Sequence, residues 1–490
     1  MGDRLADHDK FYEQVSLAAK VFSGIDKKQN IRLITHLDAD GICAASIIVK
    51  AMNRDNRRYS LTVVPQLSDL IIESLKADDY ETYLFTDIGS GKISSIAEHL
   101  GQKKIFILDH HEIKIDDINT ILEKYPTITF VNPHMFGIDG GIDISGAGVS
   151  FLFAKALDER NKDLAHIAVI GAIGDVQEHK GFGKLNNDIL NIAVEQNKIK
   201  VIDGLRLFGA YTRPLHKVLE YSTDPYIPGV SGSESCVISF LNQLGINPKN
   251  EKGWKKLIHL RDDEMKKLIA GIVLRRLGED KPEDILGKIY LLVDEEEESP
   301  TKECREFSTL LNACGRLGKA SLGIGACIGD SKLKKKAINA MTDYKKEIIT
   351  AINWFHDSKR NNSSLIIKGN KYYIINAKDK ILHTIIGTLA SILTKSNEFE
   401  DGTLVLGMAQ CFETKTTKVS LRMSGRNGAG SGNTNVDLRS IVERIVALSA
   451  GESGGHKNAA GAVIPTEKEN EFIAAAKTVL EQLQVEEKVC

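Results

Sequence analysis

Residues 31–43 read IRLITHLDADGIC, an apolar run that ends in an imidazole and two carboxylates on alternating positions. Ile31, Leu33 and Thr35 alternate with Arg32 and Ile34, as suits a buried strand, and Gly41 turns the chain into an apolar helical pattern over 42–52. In extended backbone residues i, i+2 and i+4 face one way, so His36, Asp38 and Asp40 project toward one spot. Crowded carboxylates repel and are costly to bury, so the pattern calls for a cation between them. The alternative is a cluster that caps the following helix, because Asp commonly opens helices.

The same junction recurs along the chain. Segments 59–64, 82–85, 104–108 and 127–131 read as strands, and 11–24, 68–75 and 92–101 read as helices. Strand 82–85 delivers Asp87, and strand 104–108 delivers Asp109, His110 and His111. Alternating strands and helices predict a parallel, doubly wound α/β sheet, in which ligands bind beyond the carboxyl ends of the strands. His36, Asp38, Asp40, Asp87, Asp109, His110 and His111 all fall at that edge. Further on, a glycine-rich bend ends in Ser145-Gly146-Ala147-Gly148 before a helix over 149–157. Its amides either meet an anion or simply permit close helix packing. The apolar run 164–173 then delivers Asp175, read as a fourth carboxylate of the site or as the cap of the next turn.

Four carboxylates with imidazoles match the inventory of two divalent ions about 3.5–4 Å apart. Mixed His and Asp donors favour manganese, with magnesium second, and a ligand set without cysteine argues against structural zinc. Such a centre activates water and neutralises a phosphoryl group, so phosphodiester or phosphoanhydride hydrolysis is the expected reaction class. A net charge of −2 excludes a uniformly basic coat, so a phosphate-rich partner must be bound locally. The seven cysteines are scattered without a C-x-x-C pair, which fits a reducing cytoplasm. The polar N-terminus has no signal core and no apolar run reaches about 18 residues, so no membrane span is expected.

DADG at 38–41, TDIGSG at 86–91, DHH at 109–111, GAIGD at 171–175 and GGHKNAAG at 454–461 resemble, in order, the signature motifs of the DHH phosphoesterase superfamily. LNACGRLG at 311–318 resembles the RecJ exonuclease branch, and the spacing is similar to archaeal RecJ-like nucleases associated with the replisome complex GINS. The resemblance implies that His36, Asp38 and Asp87 hold one metal, that Asp40, Asp87, His110 and Asp175 hold the other, and that Asp87 bridges them. It also implies that His111 faces the scissile phosphate while Asp109 fixes an imidazole. Bacterial relatives usually carry an aspartate where His36 stands.

A length of 490 residues implies several domains. The expected division is a DHH catalytic domain over 1–204, a helical insertion over 205–300, a return segment and long connecting helix over 301–360, and a smaller α/β DHH-associated domain over 361–490. The resemblance makes the insertion a contact for replication partners, GINS among them. The acidic run 294–298 reads as a solvated loop and Arg213 as a surface residue. Arg316 is suited to bidentate phosphate recognition, with a structural salt bridge as the alternative. In the C-terminal domain Ser420, Arg422, Arg426, Gly454, Gly455 and His456 form the expected substrate-binding set. The combined expectation is a manganese-dependent, single-strand-specific 5′ to 3′ exonuclease on DNA, extending to RNA, that releases mononucleotides in replication or repair. Two alternatives stand beside it: a phosphodiesterase or phosphatase for short oligonucleotides or cyclic dinucleotides, and a replisome scaffold.

Overall fold

Five strands, three of which run into acidic residues, form one parallel sheet in the order β2-β1-β3-β4-β5. They are β1 (Asn30–His36), β2 (Arg58–Val64), β3 (Thr82–Thr86), β4 (Lys104–Leu108) and β5 (Ile128–Val131). The computed structural model describes residues 6–489 apart from 223–224, 252, 280, 397 and 426–435, and gives no side-chain placement at 456 or 484–489. Arg426 therefore lies outside the described residues. The chain divides into two compact units, Met1–Met341 and Thr342–Cys490, each described by itself.

In the first unit both faces of the sheet are covered, as the near-continuous apolar strands require. Ile31 and Leu33 pack into one core with α1 (His8–Ser23), α2 (Ala39–Arg54), α6 (Gly146–Leu157) and α7 (Ala165–Gly174). Ile34 points the other way, into a second core with α3 (Asp69–Lys76), α4 (Ile93–Leu100) and α5 (Ile115–Lys124). The strand order reverses between β1 and β3, so a crevice opens at their carboxyl ends. The doubly wound α/β reading of the sequence is borne out.

After α8 (Lys184–Glu195) the inserted segment begins. It is not purely helical: β6 (Ile199–Leu205) pairs antiparallel with β9 (Leu286–Leu292) as its two-stranded root. Between them lie α9 (Leu215–Glu220), α10 (Glu234–Gln243), the short pair β7 (Lys249–Asn250) and β8 (Gly253–Trp254), and α11 (Asp262–Arg275), around a core of their own. The acidic run is exposed at Asp294 and Glu296–Glu298, as a solvated loop should be, and four of its carboxylates also meet lysines. Lys198 binds Asp294 at 2.7 Å, Lys334 binds Glu295 at 2.5 Å, Lys302 binds Glu297 at 3.1 Å and Lys256 binds Glu298 at 2.6 Å. Arg213 lies over the Phe208 ring.

The chain returns through α12 (Cys304–Arg316) and α13 (Ala320–Cys327) to α14 (Ser331–Arg360), one helix of 30 residues. The second unit is a six-stranded sheet in the order β10-β11-β12-β13-β15-β14. Its elements are β10 (Ile366–Gly369), β11 (Tyr372–Asn376), α15 (Ile386–Lys395), β12 (Leu404–Cys411), β13 (Thr416–Met423), α16 (Leu438–Ala447), β14 (Glu452–His456), β15 (Ala459–Pro465) and α17 (Glu469–Val489). Residues 454–456 belong to edge strand β14, and the helix between β11 and β12 starts at Ile386. Glycines have low strand propensity, so pairing with β15 overrides the local signal there.

α12 approaches the loop that follows β1 so closely that a Cβ on Gly315 would lie 1.7 Å from the Leu37 carbonyl oxygen. Asn312, one turn earlier, accepts a hydrogen bond from the Ala39 N–H at 3.1 Å and helps cap α2. Gly315→Ala should therefore push α12 off this loop at a cost of about 1–3 kcal/mol. The check is the denaturant midpoint, which should fall, whereas Gly278→Ala, where a Cβ meets open space, should cost little.

Candidate metal centre

Each side chain of the centre is delivered by the end of a regular element. β1 supplies His36, and Asp38 opens α2, accepting the Gly41 N–H through Oδ1 at 3.0 Å while Oδ2 lies 2.8 Å from His36 Nδ1. Both readings of Asp38 thus hold at once, one oxygen to each role. Asp40, one residue into α2, is fully buried, and the anion met by the amides at the start of α6 is its carboxylate. Gly146 N–H donates to Oδ2 at 2.6 Å and Ala147 N–H to Oδ1 at 3.1 Å. Asp175 follows the last turn of α7, and its side chain reaches the centre instead of capping a turn.

Asp87 lies in the middle. It leaves β3 with φ +56°, a left-handed conformation that Asp tolerates better than most residues. Oδ1 is 3.3 Å from His110 Nε2 and Oδ2 is 3.7 Å from His36 Nδ1, so its two oxygens face two different groups of donors. His110 Nε2 also lies 3.3 Å from Asp175 Oδ2 and 3.8 Å from Asp40 Oδ2. His110 Nδ1 donates to the Gly140 carbonyl at 2.6 Å, which fixes the ring with Nε2 turned inward. A Cβ on Gly146 would stand 2.5 Å from Asp87 Oδ1, so only glycine fits against this carboxylate.

Three overlapping sets of ligand atoms could each hold a cation: His36, Asp38 and Asp87; Asp40, His110 and Asp175; and Asp87, Asp109, His110 and His111. Among the described residues neither oxygen of Asp87 nor Nε2 of His110 has a hydrogen-bond partner, although all three atoms are buried. Native interiors rarely leave such atoms unsatisfied. The all-oxygen-and-imidazole donor set fits manganese or magnesium.

The charges agree with a cluster suited to cations. Burial and the neighbouring Asp87 push the Asp40 carboxyl up to about 8, and burial with Asp40 pushes Asp175 well above the carboxylate range. Burial works against charging His36 and His110, but the surrounding carboxylates outweigh it and hold both imidazoles well above their ordinary value. Asp109 stands apart. Despite burial, His111 and the Ser90 N–H hold it far below the usual range, and its Oδ1 accepts from His111 Nδ1 at 2.7 Å.

Several supporting residues carry no type signal in the sequence. Gly140 contributes only a carbonyl, which also accepts from Gln177 Nε2 at 2.9 Å, and Asn186 in turn donates to Gln177. Asn132 Nδ2 ties Ser90 Oγ to the His111 carbonyl, and Asn312 braces the loop before Asp40. Arg316 ends α12 and is partly buried. The remaining expected residues lie in the second unit. Ser420, Gly461 and Gly454 stand side by side across β13, β15 and β14, and Gly455 pairs with Ala460. Arg422 donates to Ser391 Oγ at 3.1 Å and to the Ala460 carbonyl at 3.3 Å. Lys418 shares its face of β13, and burial lowers that ammonium to about 8. His456 closes β14, and its side chain lies outside the described part.

Comparison with known proteins matches three segments to family models: residues 30–174 to the DHH family N-terminal domain, 207–289 to the DHH-CID domain and 370–482 to the DHHA1 domain. The chain is 32% identical over 458 residues to an uncharacterized protein, MJ0831, of Methanocaldococcus jannaschii, covering 93% of this chain and 94% of that one. Three solved structures share the fold. CDC45 from Entamoeba histolytica has TM-score 0.60 at 13% identity, covering 96% of this chain and 98% of that one. An exonuclease RecJ bound to manganese has TM-score 0.53 at 15% identity, covering 98% and 95%. RecJ from Thermus thermophilus, in complex with Mn2+, has TM-score 0.54 at 16% identity; the match covers 96% of this chain but spans only 55% of that protein.

Protons held by Asp40, Asp175, His36 and His110 in the metal-free fold are released on unfolding, because their folded pKa values are raised. The stability they confer is present at low pH and lost as pH rises through the folded values, for Asp40 through about 8. Cation binding competes with the same protons and strengthens over that window. The melting temperature of metal-free protein should therefore fall from about pH 6 to about pH 9, while the increment from Mn2+ grows. Asp175→Asn should flatten both curves, as thermal denaturation across that range will show.

Proposed function

Because the chain belongs to the DHH phosphoesterase superfamily, we propose that it is a divalent-metal-dependent exonuclease that degrades single-stranded nucleic acid from the 5′ end to mononucleotides, in DNA replication or repair. The observation that carries this reading is Asp87, a buried carboxylate with one oxygen toward His110 and the other toward His36 and, among the described residues, no hydrogen-bond partner on either. In this reading His36, Asp38 and Asp87 hold one cation, and Asp40, Asp87, His110 and Asp175 hold the second. Manganese is the proposed ion, with magnesium as its substitute. When bound, the two ions make hydroxide available near neutral pH and offset charge on the phosphoryl oxygens, the chemistry of in-line phosphodiester hydrolysis.

The chain's own groups do the rest. His111 is proposed to meet the scissile phosphate. Asp109 accepts a hydrogen bond from its Nδ1–H and, against the effect of burial, raises its pKa, so the ring carries a proton for a phosphate or leaving oxygen. Asp109 acts through His111, as a positioning residue. Ser420, Arg422, Gly454, Gly455 and His456 in the second unit, and Arg316 in the first, are the proposed phosphate-holding residues; the glycines leave space for a backbone and Arg422 supplies charge-assisted donors. The proposed domains are the catalytic 1–204, the inserted 205–300, the return segment 301–360 and the substrate-binding 361–490. The match of 207–289 to the DHH-CID domain and the CDC45-like fold support a replication complex of the GINS type as the partner of the insertion. The proposed location is the cytoplasm; among the described residues no helix is long and apolar enough to cross a membrane.

A scaffold role is favoured by the likeness to CDC45, which concerns fold alone. That every ligand position carries a donor weighs toward catalysis, since a scaffold has no use for a buried Asp87 carboxylate that, among the described residues, has no hydrogen-bond partner.

A time course on single strands of about 30 nucleotides, labelled at either end, with Mn2+ or Mg2+, tests the reading against its rivals. The expected result is mononucleotide release from the 5′ end in Mn2+ and no cleavage after chelation. Asp40→Ala and His110→Ala should each lower the rate by roughly 10²–10⁴-fold, the equivalent of several kcal/mol of lost charge stabilisation. Undiminished activity in either folded variant contradicts the site, and faster hydrolysis of dinucleotides than of long strands favours the short-substrate phosphodiesterase.

A further inference from the structure

Among the described residues, each other lysine or arginine that lies over an aromatic ring lies over one, whereas Lys359, in the last turn of α14, faces three. Its Nζ stands 5.9 Å from the ring centre of Phe355, 5.8 Å from that of Tyr373 and 5.5 Å from that of Phe399. Three segments of the second unit supply the rings. Phe355 lies one turn before Lys359 on the same face of α14, Tyr373 belongs to β11, and Phe399 comes shortly before β12. The rings also hold one another, Phe399 lying 4.6 Å from Tyr373 and 6.0 Å from Phe355. Glu398 closes the remaining side, where its Oε1 accepts from Nζ at 2.6 Å.

An ion pair with Glu398 alone needs no such enclosure. The ring distances also leave a gap, because apolar carbons touch at about 3.5–4.0 Å and the nitrogen stands roughly one C–N bond, about 1.45 Å, beyond that. A methyl carbon on Nζ fills the gap. Methyl groups spread the positive charge over a surface that water solvates poorly and ring faces solvate well, so aromatic enclosures suit alkylated ammonium ions. Nζ has three positions besides Cε. One stays N–H for the hydrogen bond to Glu398, which leaves two for methyl groups.

We propose that Lys359 is a modification site, carried as dimethyllysine and enclosed by Phe355, Tyr373, Phe399 and Glu398. This goes beyond the hydrolytic reading and does not depend on it. Each methyl group comes from a sulfonium donor through a separate methyltransferase. The lone pair of the neutral amine forms the new N–C bond, the S–C bond breaks, the donor leaves as a thioether, and one amine proton passes to solvent. The Lys359 side chain is 37% exposed, so the amine is open to such an enzyme. Methylation keeps the charge, and with it both the pair with Glu398 and a cation at the end of α14, where the helix dipole favours one. The added methyl groups tie α14 to β11 and to the loop before β12 by apolar contact.

Peptide mass spectrometry of the protein taken from the cells that make it should find two methyl groups on Lys359 as the main form. Unmodified Lys359, or a main form with one methyl, three methyls or an acetyl group, overturns the proposal. The enclosure is tested separately on the full chain made without modification and then reductively methylated with isotope-labelled formaldehyde. In its nuclear magnetic resonance spectrum one dimethyllysine methyl signal should lie upfield of the others, shifted by the three ring faces. That signal should vanish in Lys359→Arg and move back toward the rest in Tyr373→Leu, which removes one face at a half-exposed position. Methyl signals with none displaced, a displaced signal that survives Lys359→Arg, or one that Tyr373→Leu leaves in place overturns the enclosure and the proposal with it.

Discussion

The carboxylate of Asp40 has no access to solvent, and two backbone N–H groups at the start of α6 hold it there. Each hydrogen bond to a charged group contributes about 1.5–3 kcal/mol, and the helix N-terminus adds its own favourable field. This contact fixes α2 against α6 and stations a negative charge beside Asp87 and Asp175, where nothing but a cation or a proton relieves it. The raised affinity of Asp40 and Asp175 for protons is the same excess of negative charge seen without metal. Loss of Gly146 would disturb both partners at once, since its Cα hydrogen faces Asp87 while its N–H holds Asp40.

The sheet order explains why residues so distant in sequence meet. With β1 and β3 adjacent and their connections leaving on opposite faces, the ends of these strands cannot be covered by the helices that follow them, and His36 and Asp87 are left at an open edge. Asp87 then departs into a left-handed conformation, which carries the chain away and leaves the carboxylate between the two histidines. The backbone strain is small for aspartate, and it sits where the chemistry is concentrated.

Much of this was legible before any coordinates because it is written in residue type at strand ends. The alternation of His36, Asp38 and Asp40, and the repeated placement of Asp or His after an apolar run, follow from strand geometry alone. The supporting contacts were not legible, for a physical reason. Gly140 acts through a carbonyl and Gly146 and Ala147 through amides, groups that every residue carries, and Gln177, Asn132 and Asn312 act through side chains common on any surface. The Ser-Gly-Ala-Gly turn posed a choice between anion binding and close packing that sequence could not resolve, and the structure does both with one carboxylate. The acidic loop was legible as a solvated one, but its four lysine partners, one in α14 and three in loops, could not be located from sequence.

The loop after Asp175 shows how the inserted segment is tied to the chemistry. A carboxylate at the last turn of a helix stands where the helix most easily frays, so its placement depends on what holds the residues just beyond it. Gln177 is held by Gly140, and Glu178, itself buried, lies 3.2 Å from Arg305 of α12 and 3.7 Å from Arg206 at the foot of the insertion. A buried ion pair of this kind adds little net stability, but it is costly to break and so fixes position. Arg305 belongs to the same helix as Asn312 and Gly315, which brace the loop before Asp40. One helix therefore grips the chain on both sides of the centre, and the root of the insertion shares the second grip, so a shift of that root is felt first at the loop that carries Asp175.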